Sequence, residues 1–406
     1  RVEETPATND SSFLRYCDLE FGNRLAASSR TSGAIKVLAF SKLRVENCLI
    51  QYNRAIRNVP GSHALGGAIH IVGGSSPKII DNIFQDNYSK HLLENKYAQG
   101  GAISIYGESH PLISGNKFSR NLTQDTGGAL FIWTDCNPYI VNNLIVENTA
   151  LSRDGDLGYG GGVSIGDESH PILMNNTIAG NRAAWGGGGV YFHTGYATII
   201  NTIIADNTRL NAEDHERWGH QMAGYGSTML GYTVNIYNSC LEGGEELIQW
   251  GGTNSGSSGD VNFIESIAGD PSLLFSYALD EISPCIGTGV STLEIDGVQY
   301  SAPPFDFYGN PRPQGIGTNP DIGAIEHEGP LVNITDDVGL LPGECILNQN
   351  YPNPFNPVTN IRYSIPESSN ISLVIYDLNG AGVIELVSGI QGRGDYQVRW
   401  NGFSDR

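Results

Sequence analysis

Gly66-Gly67-Ala68-Ile69-His70-Ile71, followed by Pro77, Asn82 and Asn87, is the stretch on which the fold turns. The same order returns as Gly100-Gly101-Ala102-Ile103-Ser104-Ile105 with Pro111, Asn116 and Asn121. It returns again as Gly127-Gly128-Ala129-Leu130-Phe131-Ile132 with Pro138, Asn143 and Asn148, and two more copies start at Gly161 and Gly188. A unit recurring every 26 to 37 residues buries its apolar side only against its neighbours, so the spacing predicts a solenoid. Within a unit the apolar residues alternate, as at Ile69, Ile71, Ile79 and Phe84, in short runs bounded by Gly, Asn and Ser. Period two says strand, and the lack of any capped 3.6-residue period argues against helical repeats. Three short strands per unit, wound one unit above the next, make a parallel β-helix with its Ile, Leu, Val and Phe stacked along the axis.

Two columns of polar residues keep step with the repeat. One reads Cys17, Cys48, Asn82, Asn116, Asn143, Asn176, Thr202 and Ser239; the other reads Asn53, Asn87, Asn121, Asn148, Asn181 and Asn207. Asn tolerates the left-handed backbone of a corner, and stacked side-chain amides hydrogen-bond up an axis as a ladder. Asn82, Asn116, Asn143 and Asn176 are therefore expected to form a structural ladder, with about eight rungs over residues 1–250. The arrangement resembles the right-handed parallel β-helix proteins that bacteria secrete. That resemblance implies the fold and no single activity, because the scaffold carries lyases, hydrolases, adhesins and inert surface proteins alike.

Forty-three Asp and Glu against 23 Lys and Arg give a formal net charge of −20. Such a balance argues against nucleic acid and anionic membrane as partners. A Gly-rich, Met-poor acidic chain suits an extracellular or outer cell-surface location on a bacterium. No apolar run is long enough for a transmembrane segment, and a chain opening at Arg1 rather than Met is expected to have lost a signal peptide. None of the six cysteines forms a C-x-x-C, which argues against zinc. Cys17 and Cys48 share a column one rung apart, within disulfide reach; two buried free thiols is the alternative.

Residues 251–326 contain Gly269-Asp270-Pro271, Ser283-Pro284-Cys285-Ile286, Asp306-Phe307-Tyr308-Gly309-Asn310-Pro311-Arg312 and Asp321-Ile322-Gly323-Ala324-Ile325-Glu326. This succession resembles the terminal segment of many secreted β-helices, which implies a cap over the last rung, whose open edges otherwise invite pairing. Residues 327–342 read as a linker. In 343–406, the run Asn350-Tyr351-Pro352-Asn353-Pro354-Phe355-Asn356-Pro357 precedes alternating strands around Ile361, Val374 and Val398. Turn signals every ten residues or so indicate a small β-sandwich. It resembles the C-terminal sorting domain of type IX secretion substrates and the immunoglobulin-like domain of flagellar hook-capping proteins. The resemblance implies passage through the type IX secretion machinery. Such domains continue with a final strand where this chain stops at Arg406; either that strand is missing from this sequence or the sandwich borrows one from elsewhere, with copies of itself as one source. The fold class is thus all-β, a right-handed parallel β-helix solenoid followed by a small immunoglobulin-like β-sandwich.

The repeat leaves one outward position per rung, at Lys36, His70, Ser104, Phe131, Ser164, Tyr191 and Thr228. Just beyond lie Tyr106, Glu108 and His110, then Trp133 and Asp135, then Asp167, Glu168 and His170, then His193; Trp218 stands in the long 208–225 loop. Together they describe a groove that holds a sugar chain by ring stacking and hydroxyl hydrogen bonds. Glu108, Asp135, Asp167 and Glu168 recur at comparable points, a spacing that suits Ca2+ or a glycosidase carboxyl pair. An acidic groove repels polyanionic uronates unless calcium intervenes, and no stacked Lys/Arg pair offers a lyase base. The competing view is that Ser109-His110-Pro111 and Ser169-His170-Pro171 are solvated turns, with His63, His70 and His91 on the surface. The Gly pairs precede strands, not helices, so they serve backbone geometry rather than phosphate binding. The expected function is structural, adhesive or glycan-contacting, with a polysaccharide lyase or glycoside hydrolase second and a self-assembling filament third; no catalytic residue is assigned.

Overall fold

The computed structural model describes residues 12–22, 33–58, 63–93, 97–152, 158–211, 219–225, 232–251, 259–314, 318–327, 346–347, 359–365, 369–376, 382–391, 394–400 and 402. Trp218, the linker from 328 onward and the 350–357 run lie outside these. The chain divides into two compact units, one of residues 1–307 with 311–327 and one of 308–310 with 328–406.

The first unit is a parallel β-helix with four long ladders, not three, and a short fifth. Ile35–Leu38, Ile69–Val72, Ile103–Tyr106, Leu130–Trp133, Val163–Gly166, Val190–His193, Met222–Tyr225 and Gln249–Gly251 stack as the first sheet. A nine-stranded second sheet runs from Ser12–Arg15 to Gly259–Ile264, and an eight-stranded third from Asp18–Glu20 to Cys240–Leu241. The fourth holds six strands, from Arg54–Arg57 to Thr208–Arg209. Several of its strands are only two residues long, too short for alternation to declare them. Stacking also continues past the expected boundary at 250, since Gly259–Ile264 pairs with Tyr232–Tyr237. Leu130 pairs with Val163 and Val163 with Val190, so the last two copies of the glycine phrase begin at Gly160 and Gly187, one residue early.

Inside, Ile69, Ile71, Ile103, Ile105, Leu130 and Ile132 are fully buried in one continuous core, each contributing about 1.5–3 kcal/mol by leaving water. The Asn ladder forms as expected. Asn143 Oδ1 accepts from the Asn116 backbone N–H at 2.8 Å and from Asn116 Nδ2 at 3.0 Å. Its own Nδ2 reaches the Ile113 and Val141 carbonyls and Asn176 Oδ1, all within 3.0 Å. The side-chain amide of Asn143 thereby finds partners on both its oxygen and its nitrogen, which is what allows a polar column inside the coil. Replacing Asn143 by Leu keeps the volume and strands these groups. We expect a loss of about 2–4 kcal/mol, read as a lower denaturant midpoint; an unchanged midpoint would show the ladder to be dispensable.

Cys17 and Cys48 are free thiols, not a disulfide. In-register parallel strands (Asp18 opposite Leu49) aim both side chains the same way, and Cβ vectors that do not converge are poorly placed for a bridge. Cys17 reaches the Arg15 carbonyl at 3.1 Å, and Cys48 reaches those of Glu46 at 3.3 Å and of Leu14 on the neighbouring rung at 3.5 Å, with the two thiols also within hydrogen-bond reach of each other.

The segment expected to cap the last rung seats itself on the flank instead. Leu279, Cys285 and Ile322 pack with Ile203, Ala205 and Cys240. Leu293, Ile295 and Tyr300 pack against the outward side chains Val141, Met174 and Ile200. The Ala324 N–H donates to Thr177 Oγ1 at 3.0 Å, and Asn201 Oδ1 accepts the Val290 N–H at 2.9 Å. Outward apolar residues on the second and third sheets supply the reason: they need a cover, and the segment provides it. The outer side of the first sheet faces elsewhere.

In the second unit Ile346–Leu347 and Gly394–Trp400 flank Thr359–Ile365 in an antiparallel sheet, and Ser369–Tyr376 pairs with Gly382–Gln391. Ile361, Tyr363 and Ile365 are buried, and Tyr363 stacks on Tyr396 with centroids 5.4 Å apart. This is a small immunoglobulin-like arrangement. Among the described residues no helix is long and apolar enough to cross a membrane.

Candidate functional site

The site grows out of the glycine phrase. Lys36, His70, Ser104, Phe131, Ser164 and Tyr191 do align on the outer side of the first sheet. The next member is Ala223; Thr228 lies outside the described residues. The column is not in solvent, because His70, Ser104, Phe131 and Ser164 are fully buried. Their cover is the chain just before each glycine pair. Ala64–Leu65 pairs with Ala98–Gln99, and Gln99, Thr126, Tyr159 and Gly186 carry this short ladder onward. It folds back over the sheet because the first glycine of each pair is left-handed. At Gly127, φ is +75°, and a Cβ would stand 2.5 Å from the Leu130 carbonyl oxygen, a conformation that costs glycine nothing.

Between ladder and sheet lies a cleft of about 480 Å³. His63, Tyr97, Gln99, Thr126 and Tyr159 form one wall; Tyr106, Phe131, Trp133, Tyr191 and His193 form the other. Tyr159 stacks on Tyr191 at 4.4 Å between centroids, Phe131 on Trp133 at 5.4 Å and Trp133 on His193 at 5.2 Å. The Tyr106 hydroxyl donates to Gln99 Oε1 at 2.7 Å and ties wall to wall. Burial pushes the His193 imidazole below its ordinary value, so it is neutral at pH 7. No lining residue is Asp, Glu, Lys or Arg. The cleft is therefore aromatic and free of carboxylate, ammonium and guanidinium groups, suited to flat apolar faces with hydroxyls at their rims.

The expected site thus divides. Tyr106, Trp133, Tyr191 and His193 come together. Glu108, His110, Asp135, Glu168 and His170 do not; they lie past the strand ends in exposed turns. Glu108, Asp135, Asp167 and Glu168 all have positive φ there. Asp167 accepts from Thr134 Oγ1 at 2.7 Å, His110 Nδ1 accepts the Asn137 N–H at 3.0 Å, and His170 meets Tyr196 edge-on at 4.3 Å. Among the described residues no three His, Cys, Asp or Glu side chains group as a metal site requires. The Ca2+ set of Glu108, Asp135, Asp167 and Glu168 does not assemble, because carboxylates repeated from rung to rung along the axis give a row rather than a cage. Ser109 and Ser169 recur for a different reason from turn preference alone. The Ser75 N–H donates to Ser109 Oγ, that of Ser109 to Cys136 Sγ and that of Cys136 to Ser169 Oγ, at 3.1, 3.4 and 3.1 Å, a third ladder. His70 and His91 are buried rather than on the surface, and His63 lines the cleft.

Residues 9–155 and 67–265 match the family described as right handed beta helix region, together more than half of the 406 residues. The chain belongs to the right-handed β-helix family. No curated protein and no solved structure matches it. In this β-helix protein the lining residues missed from sequence are His63, Tyr97, Gln99, Thr126 and Tyr159. One signal was present: Gln99, Thr126 and Tyr159 each directly precede a glycine pair.

Proposed function

We propose that this β-helix protein is an exported, cell-surface adhesive protein that binds neutral carbohydrate in the aromatic cleft. The observation that carries it is a wall of stacked rings free of charged lining residues. A pyranose offers one apolar face to such rings and places its hydroxyls toward Gln99, Thr126 and the tyrosine oxygens. A uronate would enter a site with no cation, on a chain of net charge −20, and is disfavoured. The cleft also lacks the two carboxyls of a glycosidase, so binding without turnover is the better account. Export through type IX machinery is supported by the sorting-domain resemblance of residues 343–406 and the acidic composition.

The test is titration calorimetry against neutral and uronic oligosaccharides with the full chain. We expect a neutral oligosaccharide to bind, and Trp133→Ala or Tyr191→Ala to weaken it about tenfold, the loss of roughly 1.4 kcal/mol of ring contact. No binding across the panel, or equal binding by the variants, would sink the proposal. New reducing ends in the incubation would instead establish the hydrolase.

A further inference from the structure

We infer that Cys240 and Cys285 form a disulfide that locks the flank segment onto the solenoid. Cys240 belongs to Cys240–Leu241, the last strand of the third sheet. Leu241 joins the inner core, whereas Cys240 joins the separate cluster that contains Cys285, Leu279 and Ile322 of the flank segment. The two sulfurs therefore approach from opposite walls of one apolar interface. Both residues are fully buried and are free thiols in this structure, as the other described cysteines are, and the two share a hydrogen bond. Their backbones are held, Cys240 by its N–H to the Thr202 carbonyl at 3.0 Å and Cys285 by its carbonyl to the Ile322 N–H at 3.0 Å. A third contact, from Cys240 Sγ to the Gly269 carbonyl, is longer at 3.4 Å.

The other described cysteines differ. Cys17 and Cys48 also share a hydrogen bond, but they stand on in-register strands of one sheet, and Cys136 serves in the serine ladder. Only the 240/285 pair, among the described cysteines, joins the solenoid to the flank segment within one buried cluster, where a bridge would tie two distant stretches of chain.

The oxidant is the disulfide of a thiol–disulfide oxidoreductase or of glutathione. One cysteine thiolate attacks a sulfur of that disulfide, forming a mixed disulfide and releasing the carrier's first thiolate. The second cysteine thiolate then attacks the protein sulfur of the mixed disulfide and releases the carrier's second thiolate. Two electrons pass to the carrier, and the two protons of the cysteines go to water or to the released thiolates. Full burial sets the timing: exchange takes place while the flank segment is docking, and the finished bond is shielded from reductants. The inference rests on the export proposal only for its oxidising compartment; the bond itself is tested in vitro.

Reduced, unfolded full-length chain is refolded in a reduced/oxidised glutathione couple, quenched in acid and alkylated with N-ethylmaleimide in denaturant. Peptide mass spectrometry then reads every cysteine. We expect a Cys240–Cys285 linked peptide as the main product, with Cys17, Cys48 and Cys136 alkylated. Cys285→Ser should leave Cys240 alkylated and abolish the several-degree difference in melting temperature between oxidised and reduced protein. Protein exported to a bacterial periplasm gives the same readout without refolding. Recovery of both residues alkylated in folded protein, or linkage of either to Cys345 or another cysteine, would overturn the inference. Glycan binding is measured separately, so failure of the lock and failure of the cleft remain distinguishable.

Discussion

Gly128→Ala is expected to lower stability by about 3 kcal/mol or more, among the largest effects of any single methyl group in this chain. A Cβ at Gly128 would stand 2.0 Å from the Gly161 carbonyl oxygen and 2.8 Å from the Thr149 backbone nitrogen. Both are main-chain atoms of the following rung, so relief requires parting two rungs whose ladders are hydrogen-bonded on every side. Close-packed interiors transmit such strain rather than absorb it. Gly74→Ala is the converse control. Gly74 has positive φ, at +69°, and nothing lies within 4 Å of its Cβ position, so only the left-handed backbone penalty of roughly 1–2 kcal/mol applies; Gly128 is not among the positive-φ glycines and meets the contact alone. Chemical denaturation of the two variants separates contact from conformation. A Gly128→Ala shift smaller than that of Gly74→Ala would mean that rung contact at the glycine column costs less than a left-handed backbone.

The same glycine column explains what was legible in the sequence. Gly, Asn and the alternating Ile/Leu positions obey constraints that repeat in every rung, so they appear as a period and disclose the parallel coil and its Asn ladder. Two other features do not repeat in that way. The fourth ladder starts at corners such as Asn121 and lasts two residues at Leu122–Thr123, too briefly for alternation. The cleft's second wall comes from segments of uneven length before each glycine pair, and its members, Gln99, Thr126 and Tyr159, share no side-chain chemistry. Conversely, Glu108, Asp135 and Glu168 looked like a site because they were in register. Register places them in one exposed row, and a row along the axis does not converge on a single ligand. The flank segment shows a third kind of limit. Val141, Met174 and Ile200 are outward apolar residues, yet in one dimension they merely extend apolar runs, so the need for a lateral cover was hidden.

Arg312→Met is expected to release that cover, with a loss of about 3–5 kcal/mol, since it leaves a buried carboxylate without its cation. The Arg312 side chain is wholly buried. Its Nε donates to Glu326 Oε1 at 2.7 Å, one terminal nitrogen to Asn142 Oδ1 of the solenoid at 3.0 Å and the other to the Gly323 carbonyl at 3.1 Å. Glu326 also accepts the Asp321 N–H at 3.1 Å. Burial pushes Glu326 up from 4.5 to about 7, against the pull of Arg312, and burial moves the neighbouring Asp321 in the same direction. A carboxyl whose folded value lies above its unfolded one binds its proton more tightly in the folded state. Its contribution is therefore most favourable below pH 4.5 and declines by at most about 3 kcal/mol as pH rises to about 7, then stays level. Without Arg312 the carboxyl holds its proton to still higher pH, so the cost of the substitution should be small near pH 5 and full near pH 8. Melting curves at both values check this, and Arg312→Met/Glu326→Leu should recover most of the loss at pH 8. A pH-independent loss that the second substitution fails to repair would assign the role of Arg312 to packing against the solenoid alone.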